Sequence, residues 1–212
     1  MEPPITWHGP VNVSYHQLLL VDGKIDASHP TRIPNGLVAS WPDATVIRTG
    51  IHTGAISVVL QLHSSPPAID LQHDWDEIAD ISMESTTGSL GMTRLMSDPP
   101  QDLGNLAWQG PGHYRLRVYT RGRDTNIDGV ANGEPVEDYL LQIWSAPPSA
   151  DIIHKQSDSY GAGLRASATR LPPEAQPSRP SAEPGPATTS REKAARLTEW
   201  ARQRLGEDRK ES

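Results

Sequence analysis

The sequence predicts an all-β domain, an antiparallel β-sandwich, followed by a disordered Pro-rich tail and a C-terminal amphipathic helix. Three observations point there. Apolar and polar residues alternate at the two-residue period of strands in several stretches before residue 150. Gly, Pro, Asn and Asp gather between those stretches as turn formers. Beyond residue 150 the composition shifts to Pro, Ser, Ala, Gly and Arg, which cannot bury enough apolar surface to offset the chain entropy of folding. The expected organisation is a β-sandwich over 1–150, a linker over 151–189, an amphipathic helix over 190–206 and a short tail over 207–212.

Taken in order, Val11 to Val21 reads as one strand, with Val11, Val13, Tyr15, Gln17 and Leu19 on one face and Asp22-Gly23 as the closing turn. His29 to Asp43 reads as a loop with a short strand at Leu37–Ser40. Ala55 to His63 is a second strand, stopped by Pro66 and Pro67, which cannot donate to a ladder. Asp76–Glu84 and Ser89–Met96 follow as two strands around the Thr86-Thr87-Gly88 turn. The longest committed pattern is the last. Tyr114, Leu116, Val118 and Thr120 alternate with Arg115, Arg117, Tyr119 and Arg121, which predicts one row in the core and one in solvent. After a loop rich in Gly and Asn, Tyr139, Leu141 and Ile143 alternate with Asp138, Gln142 and Trp144, so the two runs are expected to pair as a long-looped hairpin. The domain is expected to end near Pro147. Near the C-terminus, Thr189 and Glu192 have the spacing of a capping box, and Ala194, Leu197, Trp200, Ala201, Arg204 and Leu205 share one helical face ahead of Gly206.

The large side chains of the core must come from six Trp and five Tyr, because the chain has no Phe. It also has no Cys, which excludes disulfides and thiolate metal sites. The N-terminal residues lack the basic and apolar regions of a signal peptide, and no run approaches the ~20 apolar residues of a membrane helix. The expectation is a cytoplasmic protein with no membrane partner. Charge divides unevenly: residues 1–150 carry 8 Lys/Arg against 17 Asp/Glu, whereas 151–212 carry 11 against 9. An acidic domain repels phosphate backbones, so direct nucleic-acid binding is not expected and a basic partner is.

No chemistry-bearing motif is complete. Asp124, Asn126 and Asp128 with Gly129 have the spacing of a calcium loop, but the twelfth position, which needs a bidentate Glu, is Pro135. The eight His show neither H-E-x-x-H nor an H-x-H pair, and no nucleophile elbow or phosphate-binding loop occurs. Neither a catalytic residue, a metal site nor a cofactor is expected. The most informative cluster is Asp70 to Glu84, six carboxylates with no Lys or Arg among them. Around Trp75, a large amphipathic side chain of the kind that anchors interfaces, Asp74, Asp76, Glu77 and Asp80 are the expected partner-binding residues. A solvated strand face that keeps an edge from aggregating accounts for the same acidity.

Val13 to Gln17, Gly54 to Ser57, Gly112 to Leu116 and Asp138 to Gln142 resemble, in order and spacing, the ComJ family, small β-sandwich inhibitors of a DNA-degrading nuclease. Glu134 to Leu140, Glu-Pro-Val-Glu-Asp-Tyr-Leu, also resembles a segment that ends a group of uncharacterised actinobacterial proteins. The likeness spans about residues 10–147; the compact inhibitors have no counterpart of the tail. It implies a non-enzymatic domain whose carboxylates occupy phosphate positions in the basic groove of a nuclease or toxin. A reading from a different class is a small-molecule- or glycan-binding β module, using exposed Trp and calcium at Asp124–Asp128.

Overall fold

The computed structural model describes residues 4–23, 32–42, 44–93 and 103–170. The predicted helix over 190–206, the tail over 207–212, the linker beyond 170 and the end of the strand predicted over Ser89–Met96 lie outside the described residues.

Among the described residues, eleven strands and one helix follow one another as β1 (Ile5–Ser14), β2 (Gln17–Asp22), β3 (Val38–Ser40), β4 (Ala44–Arg48), β5 (Thr53–His63), β6 (Glu77–Ser85), β7 (Leu90–Thr93), β8 (Gly112–Arg121), β9 (Val130–Ala131), β10 (Asp138–Ser145), β11 (Ile152–Gln156) and α1 (Ser159–Arg170). They form a single curled sheet in the order β11-β6-β8-β10-β5-β1-β2-β4-β3, with β7 on β2 and β9 on β5. The sheet bends into a half-barrel until β3 comes to lie against β6. This corrects the antiparallel sandwich: the sheet is mixed, because β10 and β9 both pair parallel with β5. β8 and β10 do pair antiparallel, Asp138 opposite Arg121 and Trp144 opposite Arg115. The loop returns β10 between β8 and β5, so the predicted hairpin becomes the middle of the sheet. No helix among the described residues is long and apolar enough to cross a membrane.

The hollow of the curl holds the core. Across β6 and β8, Ala79 faces Val118 and Ile81 faces Leu116, and these join Val13, Leu18, Leu20, Ile56, Val58, Leu141 and Ile143 in one cluster. Each of the Val, Leu and Ile side chains contributes about 1.5–3 kcal/mol by leaving water. The other face of β6, β8 and β10 is covered too. Arg115, Arg117 and Tyr119, expected in solvent, are buried, and of that row only Arg121 is exposed. The residues between β5 and β6 and those after β10 close over this face. Pro67 O accepts from Arg117 Nη1 (3.0 Å), the Tyr119 hydroxyl from Asp70 N (3.1 Å), and Ser149 O from Arg115 Nη1 (3.0 Å).

The strand predicted over Val11 to Val21 is broken in two. Tyr15 and His16 have φ of 55° and 59°, as the two-residue loop of a type I′ hairpin requires, and Ser14 pairs with Gln17. That conformation costs a non-glycine residue about 1 kcal/mol or more. At the far end of β2, Asp22 takes five donors: the hydroxyls of Ser85, Thr86 and Thr87 and the amides of Thr87 and Ser89, at 2.7 to 3.2 Å. Burial alone would raise this carboxyl, but the donors outweigh it and hold its pKa at about 2.

The domain does not end near Pro147, and the linker predicted from 151 is ordered as far as 170. β11 pairs antiparallel with β6, Ile152 opposite Asp80 and Gln156 opposite Glu77. α1 then follows, tied to Glu77 and Asn35 by Arg165 and to Asp124 by the amides of its first turn. Of α1, Gly161 and Ala168 are the buried residues, so polar contacts rather than an apolar stripe hold it.

Candidate partner-binding surface

The acidic segment is divided by the fold. At its start Asp70 Oδ1 accepts from the amides of Gln72 (3.1 Å) and His73 (3.3 Å), a turn that puts the 71–74 stretch into solvent. The slight desolvation of Asp70, which raises its pKa, is outweighed by these bonds, and the carboxyl sits below its ordinary value. Asp74 is exposed and Trp75 half-buried. The indole of Trp75 lies 5.4 Å from the Tyr119 ring, and the Arg121 guanidinium stands 5.5 Å over it, which fixes an aromatic surface without hiding it. Asp76, also half-buried, is tied at three atoms: its amide donates to Thr120 O (2.8 Å), its Oδ2 accepts from Gly122 N (2.9 Å) and its carbonyl from Ser157 Oγ (2.6 Å).

Glu77 and Asp80 are not on that surface. Asp80 is buried in a bidentate pair with Arg117, 2.6 and 2.9 Å, with His154 Nε2 at 3.2 Å. Glu77 is 1 % exposed, and both its oxygens accept from Arg165 Nη1 of α1 at 3.0 Å. The reason is that β6 is covered on both faces, so every side chain along Glu77–Met83 is buried and each charge there must find a partner. The partners are arginines from β8, the residues after it and α1, distant in sequence. Arg123, fully buried, is the centre of this hub. Its Nε and Nη2 grip Asp158 at 2.6 and 2.9 Å, Nη1 donates to Gly36 O (3.0 Å), and the Tyr160 ring lies 5.3 Å away. Burial, and then Asp158 beside it, push Glu77 up to about 7 against the pull of Arg165 and Arg123.

A further buried carboxylate lies near this hub. Glu137 accepts from Ile51 N (2.6 Å), Gly50 N (3.1 Å) and the Tyr139 hydroxyl (2.6 Å), and burial raises its pKa. Gly50 is required here: a Cβ would stand 2.0 Å from Arg123 O.

The two aspartates of the calcium-loop reading have different partners. Asp124 caps α1, accepting from Ser159 N (2.8 Å) and Tyr160 N (2.9 Å) with its two oxygens. Asp128 has φ of 61° and pairs through Oδ1 alone with His16 Nε2 at 3.0 Å. No group of three metal-ligating side chains occurs among the described residues.

The residues missed by sequence reasoning are the arginines and their hub. Arg117 and Arg123 look like solvated charges in an alternating strand and its loop, and only the unbroken burial of β6 shows otherwise.

Two solved structures are similar to part of this chain. One is ComJ from Bacillus subtilis, an inhibitor of the DNA degrading activity of NucA, at 16% identity and a TM-score of 0.44, covering 68% of this chain and 98% of that one. The other is crocagin biosynthetic gene J, at 14% identity and a TM-score of 0.39, covering 69% and 100%. No protein-family profile matches the chain, and no curated protein does.

Proposed function

We propose that this chain is a non-enzymatic protein-binding domain, an inhibitor or immunity protein that masks the basic DNA-binding surface of a nuclease or toxin. The observation that carries the reading is the first half of the acidic segment. Asp74 stands in solvent beside Trp75, and Trp75 and Asp76 are fixed from behind by Tyr119, Arg121, Thr120 and Gly122. A preorganised aromatic anchor flanked by carboxylates suits a cationic groove, because little entropy is lost on docking and the charges steer the encounter. The class of partner comes from the sequence resemblance to the ComJ inhibitors. Glu77 and Asp80, expected in the contact set, act behind it by holding β6, β8 and α1 together.

The test is inhibition of DNA cleavage. A DNA-degrading nuclease recovered with the full chain from its host should lose activity at one equivalent of the parent protein. Asp74→Lys should weaken the inhibition in a salt-dependent way, and Trp75→Ala should weaken it at every salt concentration. A recovered nuclease that cleaves DNA equally well with and without excess protein would end this reading.

A further inference from the structure

The loops at the end of the half-barrel where β1 turns into β2 carry an unassigned recognition surface. All three non-glycine residues with positive φ among the described residues meet there: Tyr15, His16 and Asp128. Three chain segments are tied together beneath them. His16 N donates to His52 O (3.1 Å), Asp128 N to Gly50 O (2.9 Å) and His52 N to Gly129 O (2.8 Å). The His16 ring bridges Thr49 O (3.1 Å) and Asp128 Oδ1 (3.0 Å) and stacks on Tyr160. The His52 ring meets both Tyr15 and His16 edge-on at 5.2 and 5.1 Å.

What this frame presents is unusual for a free surface. Tyr15 is 56% exposed at the tip of a tight turn, Ile127 and Val130 on either side of Asp128 are 48% and 56% exposed, and the Asp128 side chain is 78% exposed. A hairpin tip with no binding role is served better by Asn-Gly than by Tyr-His, since glycine takes positive φ without strain. Strain kept at Tyr15, a bulky residue held at positive φ with its ring exposed, marks a site where the side chain matters more than the turn.

The geometry points to recognition of an arginine side chain of a protein partner. The Asp128 carboxylate, held at Oδ1 by His16, leaves Oδ2 to accept from a guanidinium; the exposed Tyr15 ring supplies an aromatic neighbour for the cation, and the exposed Ile127 and Val130 supply apolar surface for its aliphatic stem. This surface is built from residues other than Asp74–Asp76 and does not depend on the function proposed above.

The test is a nuclear magnetic resonance titration of the labelled full chain with acetyl-Gly-Arg-Gly-amide and, as control, its norleucine counterpart. The arginine peptide should give saturable shifts centred on Tyr15, His52 and Asp128, with a dissociation constant on the order of 10 mM. Asp128→Asn should weaken it by about fivefold or more. Tyr15→Gly, which keeps the turn, should weaken binding while the melting temperature holds or rises. Asp74→Lys should leave the shifts at Tyr15 unchanged. Absence of saturable shifts, equal response to the norleucine peptide, or full binding by both Asp128→Asn and Tyr15→Gly would each overturn the assignment.

Discussion

Asp74 and Glu77 belong to one acidic run, yet one is exposed and the other 1 % exposed. The difference lies in what covers them. Asp74 sits in an exposed turn, whereas Glu77 begins a strand flanked by β8 and β11 and tied to α1 by Arg165. A carboxylate in solvent is nearly free of stability cost and keeps its long-range field. Buried, its charge is disfavoured even beside Arg123 and Arg165, which recover only part of its desolvation, and its field is spent within the hub. Acidity along a sequence therefore does not specify a surface; the cover over each residue does.

The largest effect should come from removing the cation at the centre of the hub. Arg123→Met leaves Glu77 and Asp158 buried beside each other without their shared guanidinium, and should cost about 3–5 kcal/mol in urea unfolding. A loss below 1 kcal/mol would show that water or relaxation already screens this end, and the contrast with Asp74 would fail.

The next effect is a pH dependence. Folding favours protonated Glu77, so the stability it contributes is full below its ordinary value near 4.5 and is lost as pH rises through about 7. His63, lowered by burial and by Arg117, runs the other way near its ordinary 6.5. Asp22, at about 2, is constant over this range and loses its contribution only in strong acid. Comparison with Glu77→Gln isolates the glutamate. Between pH 5 and 8 the parent should lose up to ~3 kcal/mol relative to the variant. Parallel stability curves for the two proteins would contradict the burial of an ionisable Glu77.

A smaller effect is expected at the cap. Asp124→Ala removes the acceptor for two amides of α1 and should cost about 1 kcal/mol, with faster amide exchange confined to α1. Asp74→Lys, at the exposed end of the comparison, should change stability by no more than ~0.5 kcal/mol.

Much of the fold was legible because most strands announce themselves by alternation. Ala55 to His63 and the two runs at Tyr114 and Tyr139 emerge within two residues of β5, β8 and β10. The β1–β2 break was not legible, because Tyr15 and His16 are poor turn formers and the apolar pattern runs on through them. Parallel pairing of β10 with β5 was hidden as well, since register between distant strands leaves no local mark. β11 and α1 were read as linker because their order comes from Arg123–Asp158 and Arg165–Glu77, contacts between residues 35 and 88 positions apart. For the site, Asp74 lies in solvent and Trp75 and Asp76 are half-buried. The burial of Glu77 and Asp80 depends on arginines that only the folded sheet brings alongside.

The exposed half of the acidic run is the proposed binding surface, and the association rate measures that directly. With the basic partner recovered from the host, Asp74→Lys should associate more slowly than the parent at low salt, and the gap should close as ionic strength rises past ~0.1 M, where exposed charges are screened within about 10 Å. Equal association rates for parent and variant at every salt concentration, with both proteins folded, would show that Asp74 lies outside the interface and that the acidic turn is only a solvated edge.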